Sequence, residues 1–256
     1  MSTLSAGVIL IGNEILSGRV QDANLAHLAK ELSARGIPVL ECRAIPDDTD
    51  TIVEAVNTFR KKYTYVFTTG GIGPTHDDIT TAAVAKAFGV PIYRDEKIVQ
   101  RFKEHYGDRA TAATYTMCDF PTGAELVENA ATVAPGFKME NVYVLAGIPN
   151  IMRAMFETIL PTLAMGEPIL EISYTAHTSE GKISFGLGAI QDEFPDVSLG
   201  SYPFQRDGRP TVSLVARGKD AQQLQQVSLR LAELLQEVGG EVLETPSFDW
   251  PQQDAV

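Results

Sequence analysis

The chain has 256 residues, a formal net charge of −12, 44% hydrophobic and 21% charged residues, and two cysteines. That length suits one large or two modest domains of an ordinary globular protein. No run of about 18 apolar residues exists, which argues against a membrane span, and no lysine/arginine cluster advertises a nucleic-acid surface. Cys42 and Cys118 form no metal-spaced or CxxC pattern, and the N-terminus lacks a basic region leading into a long apolar core. A reduced, cytoplasmic setting without membrane or nucleic-acid partners is therefore expected.

AGVILI, Ala6–Ile11, is too short for a helix and ends at Gly12, as a buried parallel strand does. A polar, glycine-punctuated turn follows, carrying Asn13, Glu14, Gly18, Asp22 and Asn24. Leu25, Leu28, Ala29 and Leu32 recur at helical spacing until Gly36 stops them. Ile37–Ala44 reads as a second strand, Pro46-Asp47-Asp48 as a turn, and Ile52, Val53, Val56 and Phe59 as one face of a second helix. Tyr63–Thr69 is the third strand, and Ile79, Ala82, Ala83 and Ala87 begin the helix after it. Arg94–Met117 reads as helical, with turns at Pro121–Gly123 and Ala134–Phe137. Asn141–Ala146 is a further buried strand, ending at Gly147-Ile148-Pro149, and the helix after it is stopped by Pro161. This alternation predicts an α/β fold, a mostly parallel sheet flanked by helices, over residues 1–165.

Beyond Gly166 and Pro168 the pattern changes. Leu170, Ile172 and Tyr174 alternate with polar residues as in a half-exposed strand. A short helix over Ile183–Phe194, strands near Val197–Phe204 and Thr211–Ala216 joined at Asp207-Gly208, and a helix through Leu224, Val227, Leu231, Leu234 and Val238 complete a small α+β domain over residues 166–243. Residues 244–256 read as a mobile or partner-docking tail.

The chemistry is expected at the carboxyl ends of the parallel strands, where open α/β sheets bind ligands. TTGGIGPTHDDIT holds a glycine loop (Gly70, Gly71, Gly73, then Pro74) between a strand and a helix start. Such a loop lets backbone N–H groups approach a phosphate. It is not a Walker motif, since no Lys-Ser or Lys-Thr closes it. Glu14, Asp22, Asp47, Asp77 and Asp78 follow strands and should face the same edge. Asp22, Asp48 and Asp77 could equally be helix caps. Carboxylates beside a phosphate loop imply a hard divalent cation between them, Mg²⁺, Mn²⁺ or Co²⁺, with Asp77, Asp78 and Glu14 as its ligands. Thr69, Thr75 and Thr80 are candidate hydroxyl donors to phosphate. His76 stands between the glycines and the acidic pair, while His27, His105 and His177 read as structural.

Four segments, IGNEILSGRVQDAN, TTGGIGPTHDDIT, TVAPGF and GIPNIM, together resemble the competence/damage-inducible protein A family. Its N-terminal part belongs to the molybdopterin-binding, MoaB/Mog-like superfamily. The resemblance runs from Ser5 to about Leu163, and the small domain is similar to the family's second, KH-like domain. No GxxG loop flanked by basic residues is present, so RNA binding is not implied. The chain ends before the nicotinamide-nucleotide deamidase domain of longer members, so that activity is expected to be absent.

The resemblance implies two functions. One is metal-dependent hydrolysis of a dinucleotide pyrophosphate such as ADP-ribose, or FAD as in the related domain of eukaryotic FAD synthases. The other is binding or adenylylation of molybdopterin, as in the Mog-like enzymes of molybdenum cofactor biosynthesis, which leaves a non-hydrolytic molybdopterin- or nucleotide-binding protein as the alternative. It implies roles for Asp78 and Asp47, and Asp77 is the extra carboxylate of the competence-protein branch, favouring the pyrophosphatase. Gly12, Asn13, Glu14, Asp22 and Asn24 in the first turn, and Gly147 and Pro149 in the last, complete the expected ligand contacts. Asn13 stands where some relatives have Asp, and Ala146 and Ile151 replace the Pro and Glu of the usual PGVPxEM pattern. The superfamily also implies a homo-oligomer.

Overall fold

Strand β1, Ala6–Ile11, is buried at every position, because its aliphatic run serves both faces of a sheet. The computed structural model describes residues 4–249, and the side chains of residues 4–244. After β1 come the one-turn helix α1 (Asn13–Leu16), α2 (Asn24–Ala34), β2 (Val39–Ile45), α3 (Thr49–Lys62), β3 (Tyr65–Thr69) and α4 (Thr80–Phe88). The chain continues through β4 (Ile92–Arg94), α5 (Glu96–Tyr106), β5 (Asp119–Pro121), β6 (Glu125–Val127), β7 (Gly136–Met139), β8 (Val142–Leu145) and α6 (Pro149–Ile159).

Six strands form one sheet in the order β2-β1-β3-β8-β7-β6. β2, β1, β3 and β8 are parallel, and β7 runs antiparallel to both β8 and β6. Side chains of β1 alternate between two cores. Val8 and Leu10 meet Leu28, Leu32, Met152 and Phe156 of α2 and α6 on one face. Ile9 and Ile11 meet Ile52, Phe59 and Val84 of α3 and α4 on the other. Phe67 anchors the first core, stacked on Tyr143 at 5.2 Å and edge-on to Phe156 at 5.6 Å.

Two expectations for this region are corrected. The stretch read as helical over Arg94–Met117 is helix only over Glu96–Tyr106, because Gly107 turns left-handed (φ 53°) and only short 3₁₀ turns follow, at Gly107–Arg109 and Thr114–Cys118. The turn expected at Ala134–Phe137 is instead the start of β7. A Cβ on Gly136 would lie 2.5 Å from the Val144 carbonyl oxygen, so this glycine serves a close strand approach.

The chain divides into two compact units between Gly166 and Glu167. The second contains β9 (Leu170–His177), α7 (Glu180–Glu193), β10 (Ser198–Arg206), β11 (Arg209–Gly218), α8 (Ala221–Glu237) and β12 (Glu241–Asp249). Its sheet is antiparallel, in the order β10-β11-β9-β12. Asp207 and Gly208 turn the hairpin with positive φ at both positions, 55° and 71°. The tail expected from Glu244 is corrected: residues to Asp249 pair with β9. Pro246 falls within a register shift between Glu244 and Ser247, the kind of position at which a strand tolerates proline. Trp250 and the rest of the expected tail lie outside the described residues.

Candidate functional site

Because β1, β2, β3 and β8 are parallel, the loops that follow them emerge at one edge of the sheet. The order β2-β1-β3 reverses direction at β1, so the crevice between the β1 and β3 loops is the topological switch point. Backbone contacts tie these loops together. Gly12 N–H donates to the Ile45 carbonyl (3.1 Å), and Gly70 N–H to the Leu145 carbonyl (3.1 Å). Gly70 (φ 106°) lies against Ile11, whose carbonyl oxygen a Cβ would meet at 2.1 Å. A Cβ on Gly147 would lie 3.2 Å from the Gly70 Cα. Asn24 Nδ2 donates to the Gly147 carbonyl (2.8 Å), joining the start of α2 to the last loop.

The glycine loop itself is pinned from below by Thr80. Its N–H donates to the Gly71 carbonyl and its hydroxyl to the Gly70 carbonyl, both at 2.9 Å. Thr80 is fully buried and Thr69 nearly so, which takes both away from the role of phosphate donor that the sequence suggested. Burial at the end of β3 holds Thr69 inside the sheet, and the Thr80 hydroxyl is spent on the loop. Among the described residues, the amides of Gly71, Ile72 and Gly73 donate to no other group, so they stand free for an anion.

Thr75 gathers the acidic pair. Its hydroxyl lies 2.5 Å from Asp77 Oδ1 and 2.6 Å from Asp78 Oδ2, and its N–H donates to Asp78 Oδ2 (2.8 Å). A threonine hydroxyl carries one proton, so it can donate to only one of two carboxylate oxygens. The other contact is lone pair against lone pair unless a cation or a proton intervenes. The Thr75 hydroxyl holds the Asp77 carboxyl below the usual carboxylate range, so it is ionised at neutral pH. Asp78 also lies against Gly73, where a Cβ would meet Oδ2 at 2.6 Å. His76 projects into solvent, 3.9 Å from Asp77, and Pro74 is exposed.

The remaining acidic residues divide by task. Asp48 caps α3, accepting from Thr51 N–H (2.9 Å), and Asp22 accepts from the first amides of α2, Asn24 (3.3 Å) and Leu25 (2.9 Å). Asp77 caps no helix, since α4 begins at Thr80. Asp47 Oδ2 accepts from Asn13 N–H (2.9 Å), bridging the β2 and β1 loops. Glu14 folds back over Gly12, its carboxylate lying where a Cβ would be. The fold thus brings Asp77 and Asp78 together and leaves Glu14 outside the pair. Among the described residues no group of three or more His, Cys, Asp or Glu is placed to hold a metal. Two carboxylates and a hydroxyl are nonetheless a hard-oxygen set that suits Mg²⁺, which takes one or two carboxylates and completes its shell with water and phosphate. Pro149 occupies the first turn of α6, where its missing N–H costs nothing.

Sequence reasoning passed over Lys30 and Arg153, which share a groove with Asp22 and His27. The groove, of about 540 Å³, lies beside α2. Lys30 is on α2 and Arg153 on α6, and nothing in the sequence paired them.

Comparisons with known proteins agree with this architecture. Residues 7–165 match the family described as "Probable molybdopterin binding domain", and residues 169–240 match "FAD synthase, middle domain". A protein of Archaeoglobus fulgidus is 34% identical over 229 residues, 89% of this chain and 96% of that protein. A CinA-like protein of Syntrophus aciditrophicus is 35% identical over 211 residues, 77% of this chain and 50% of the relative, so the chain spans about half the length of that protein. The crystal structure of the protein CinA from Thermoplasma acidophilum, described as of unknown function, superposes with a TM-score of 0.59 at 30% identity, covering 63% of this chain and 99% of that one.

Proposed function

The chain belongs to the molybdopterin-binding-domain family, with CinA-like relatives, and from that premise we propose that it is a divalent-metal-dependent pyrophosphatase acting on a dinucleotide such as ADP-ribose or FAD. The observation that carries this reading is the convergence of Asp77 and Asp78 on the Thr75 hydroxyl beside the free amides of the glycine loop. The amides of Gly71, Ile72 and Gly73 bind phosphate oxygens and orient the diphosphate. Asp77 and Asp78 would hold a divalent cation, Mg²⁺, Mn²⁺ or Co²⁺, as two hard carboxylate ligands. When bound, such a cation neutralises phosphate charge and acidifies a water for in-line attack. Asp47 fixes the β1 loop, one wall of the crevice, through Asn13.

Purified protein incubated with ADP-ribose, FAD or NADH and each metal in turn should release AMP; absence of release with every metal would overturn the proposal. A second reading, binding of molybdopterin or a nucleotide without hydrolysis, is favoured by the position of Glu14, which leaves two carboxylates where the expected metal set had three. It predicts ligand binding in calorimetry without turnover, and affinity that survives Asp77→Asn.

A further inference from the structure

We propose that the open edge of β2 binds a second copy of this chain, strand against strand, in an antiparallel pair centred on Cys42. The other strands at sheet edges are short or blocked. β4, β5 and β6 have three residues each. On β10 the outward Leu199 N–H donates to Gln191 Oε1 (3.0 Å), and Pro203, on the same side of the strand, has no N–H to offer. β12 carries Pro246 in a register shift. β2 is different: its seven residues, Val39–Ile45, include no proline or lysine, and Pro38 and Pro46 bound them. β1 is its only sheet neighbour. The Ile45 carbonyl accepts from Gly12 N–H and so faces β1. Backbone groups alternate along a strand, so those of Cys42 and Ala44 face outward, where among the described residues they bond to nothing.

The side chains choose the partner. Leu40, Cys42 and Ala44 are the exposed positions of β2, Leu40 by 64%. Cys42 and Ala44 lie beside Val8 and Leu10 of β1, and the helices that bury those two leave their β2 neighbours uncovered. A pair centred on Cys42 sets Leu40 opposite the second copy's Ala44 and Glu41 opposite its Arg43, in both directions. Moving the centre by one residue sets Arg43 against Arg43 or Glu41 against Glu41, and like charges directly opposite are destabilising. The strand is therefore charge-complementary to itself in one antiparallel register. Glu41 and Arg43 already bond each other (2.9 Å), and Lys62 and Glu54 complete their network, so pairing buries no lone charge. Such a contact is isologous and closes at two copies. It rests neither on the glycine loop nor on the metal.

Sedimentation equilibrium of the full-length protein, with amide hydrogen exchange followed at low and high protein concentration, tests the proposal. The protein should form a dimer, and the Cys42 and Ala44 amides should exchange more slowly as it forms. Leu40→Lys and Ala44→Glu should each weaken dimerisation at least about tenfold. Both positions are exposed, so each variant should keep its urea midpoint. The double variant Leu40→Lys/Ala44→Glu sets lysine opposite glutamate across the two copies and should recover the dimer. The wild-type exchange pattern decides independently of the variants. A monomer at every concentration, a trimer, a dimer whose β2 amides exchange as in the monomer, or single and double variants that behave alike would overturn the proposal.

Discussion

At Gly70 and Gly73 a single added methyl group separates stability from function. On Gly70 the methyl would meet the Ile11 carbonyl oxygen at 2.1 Å, and the φ of 106° is hostile to any side chain. Gly70→Ala should therefore destabilise the protein by about 2–4 kcal/mol in urea unfolding. On Gly73 the methyl would meet only the end of the Asp78 side chain, at 2.6 Å, and a carboxylate can rotate away. Gly73→Ala should cost less than about 1 kcal/mol but lower metal-dependent turnover at least tenfold, because Asp78 leaves Thr75. Equal losses of stability in the two variants would count against this assignment. The glycines and the acidic pair were legible in the sequence as a motif. Thr80 was not, since only the folded loop shows that its hydroxyl bonds the Gly70 carbonyl rather than a ligand.

At the scale of elements, edge strand β2 is held by a charge cluster remote from the site. Glu41 accepts from Lys62 Nζ (2.7 Å), from the Tyr63 hydroxyl and from Arg43 Nε (2.9 Å). These donors, Lys62 first, then Tyr63 and Arg43, lower the Glu41 carboxyl from 4.5 to about 2. A carboxyl depressed in the folded state stabilises the protein fully above its unfolded value and loses that contribution as pH falls toward the folded one. Stability should thus decline between pH 4.5 and about 2, and Glu41→Gln should flatten that part of the profile in pH-dependent urea unfolding. An unchanged slope would show that Glu41 is not coupled to folding. The parallel elements were readable because buried aliphatic runs and glycine stops recur at fixed spacing. The short strands β4 to β7 were not, because three or four residues carry too little periodicity, and their pairing is decided by close contacts such as Gly136 on Val144. Strand β12 was hidden by Pro246, whose place in a register shift only the pairing with β9 shows.

At the scale of the whole molecule, two sets of buried residues make separate cores. The cores of the first unit end at Leu163, and the core of the second begins at Ile172. Segments 1–166 and 167–256, produced apart, should each unfold cooperatively in urea, and failure of either would show that its core does not suffice alone. The parallel topology lets four loops share an edge, and the glycine contacts let two of them close to backbone distance. What distinguishes hydrolysis from mere binding is whether Asp77 and Asp78 act on a metal there. The most direct test is AMP release from ADP-ribose measured against Mn²⁺ concentration for the wild type and Asp78→Asn. The wild type should show saturable, metal-dependent release, and the variant should lose it while keeping its urea midpoint. Release that is absent, independent of metal, or equal in the variant would contradict the account.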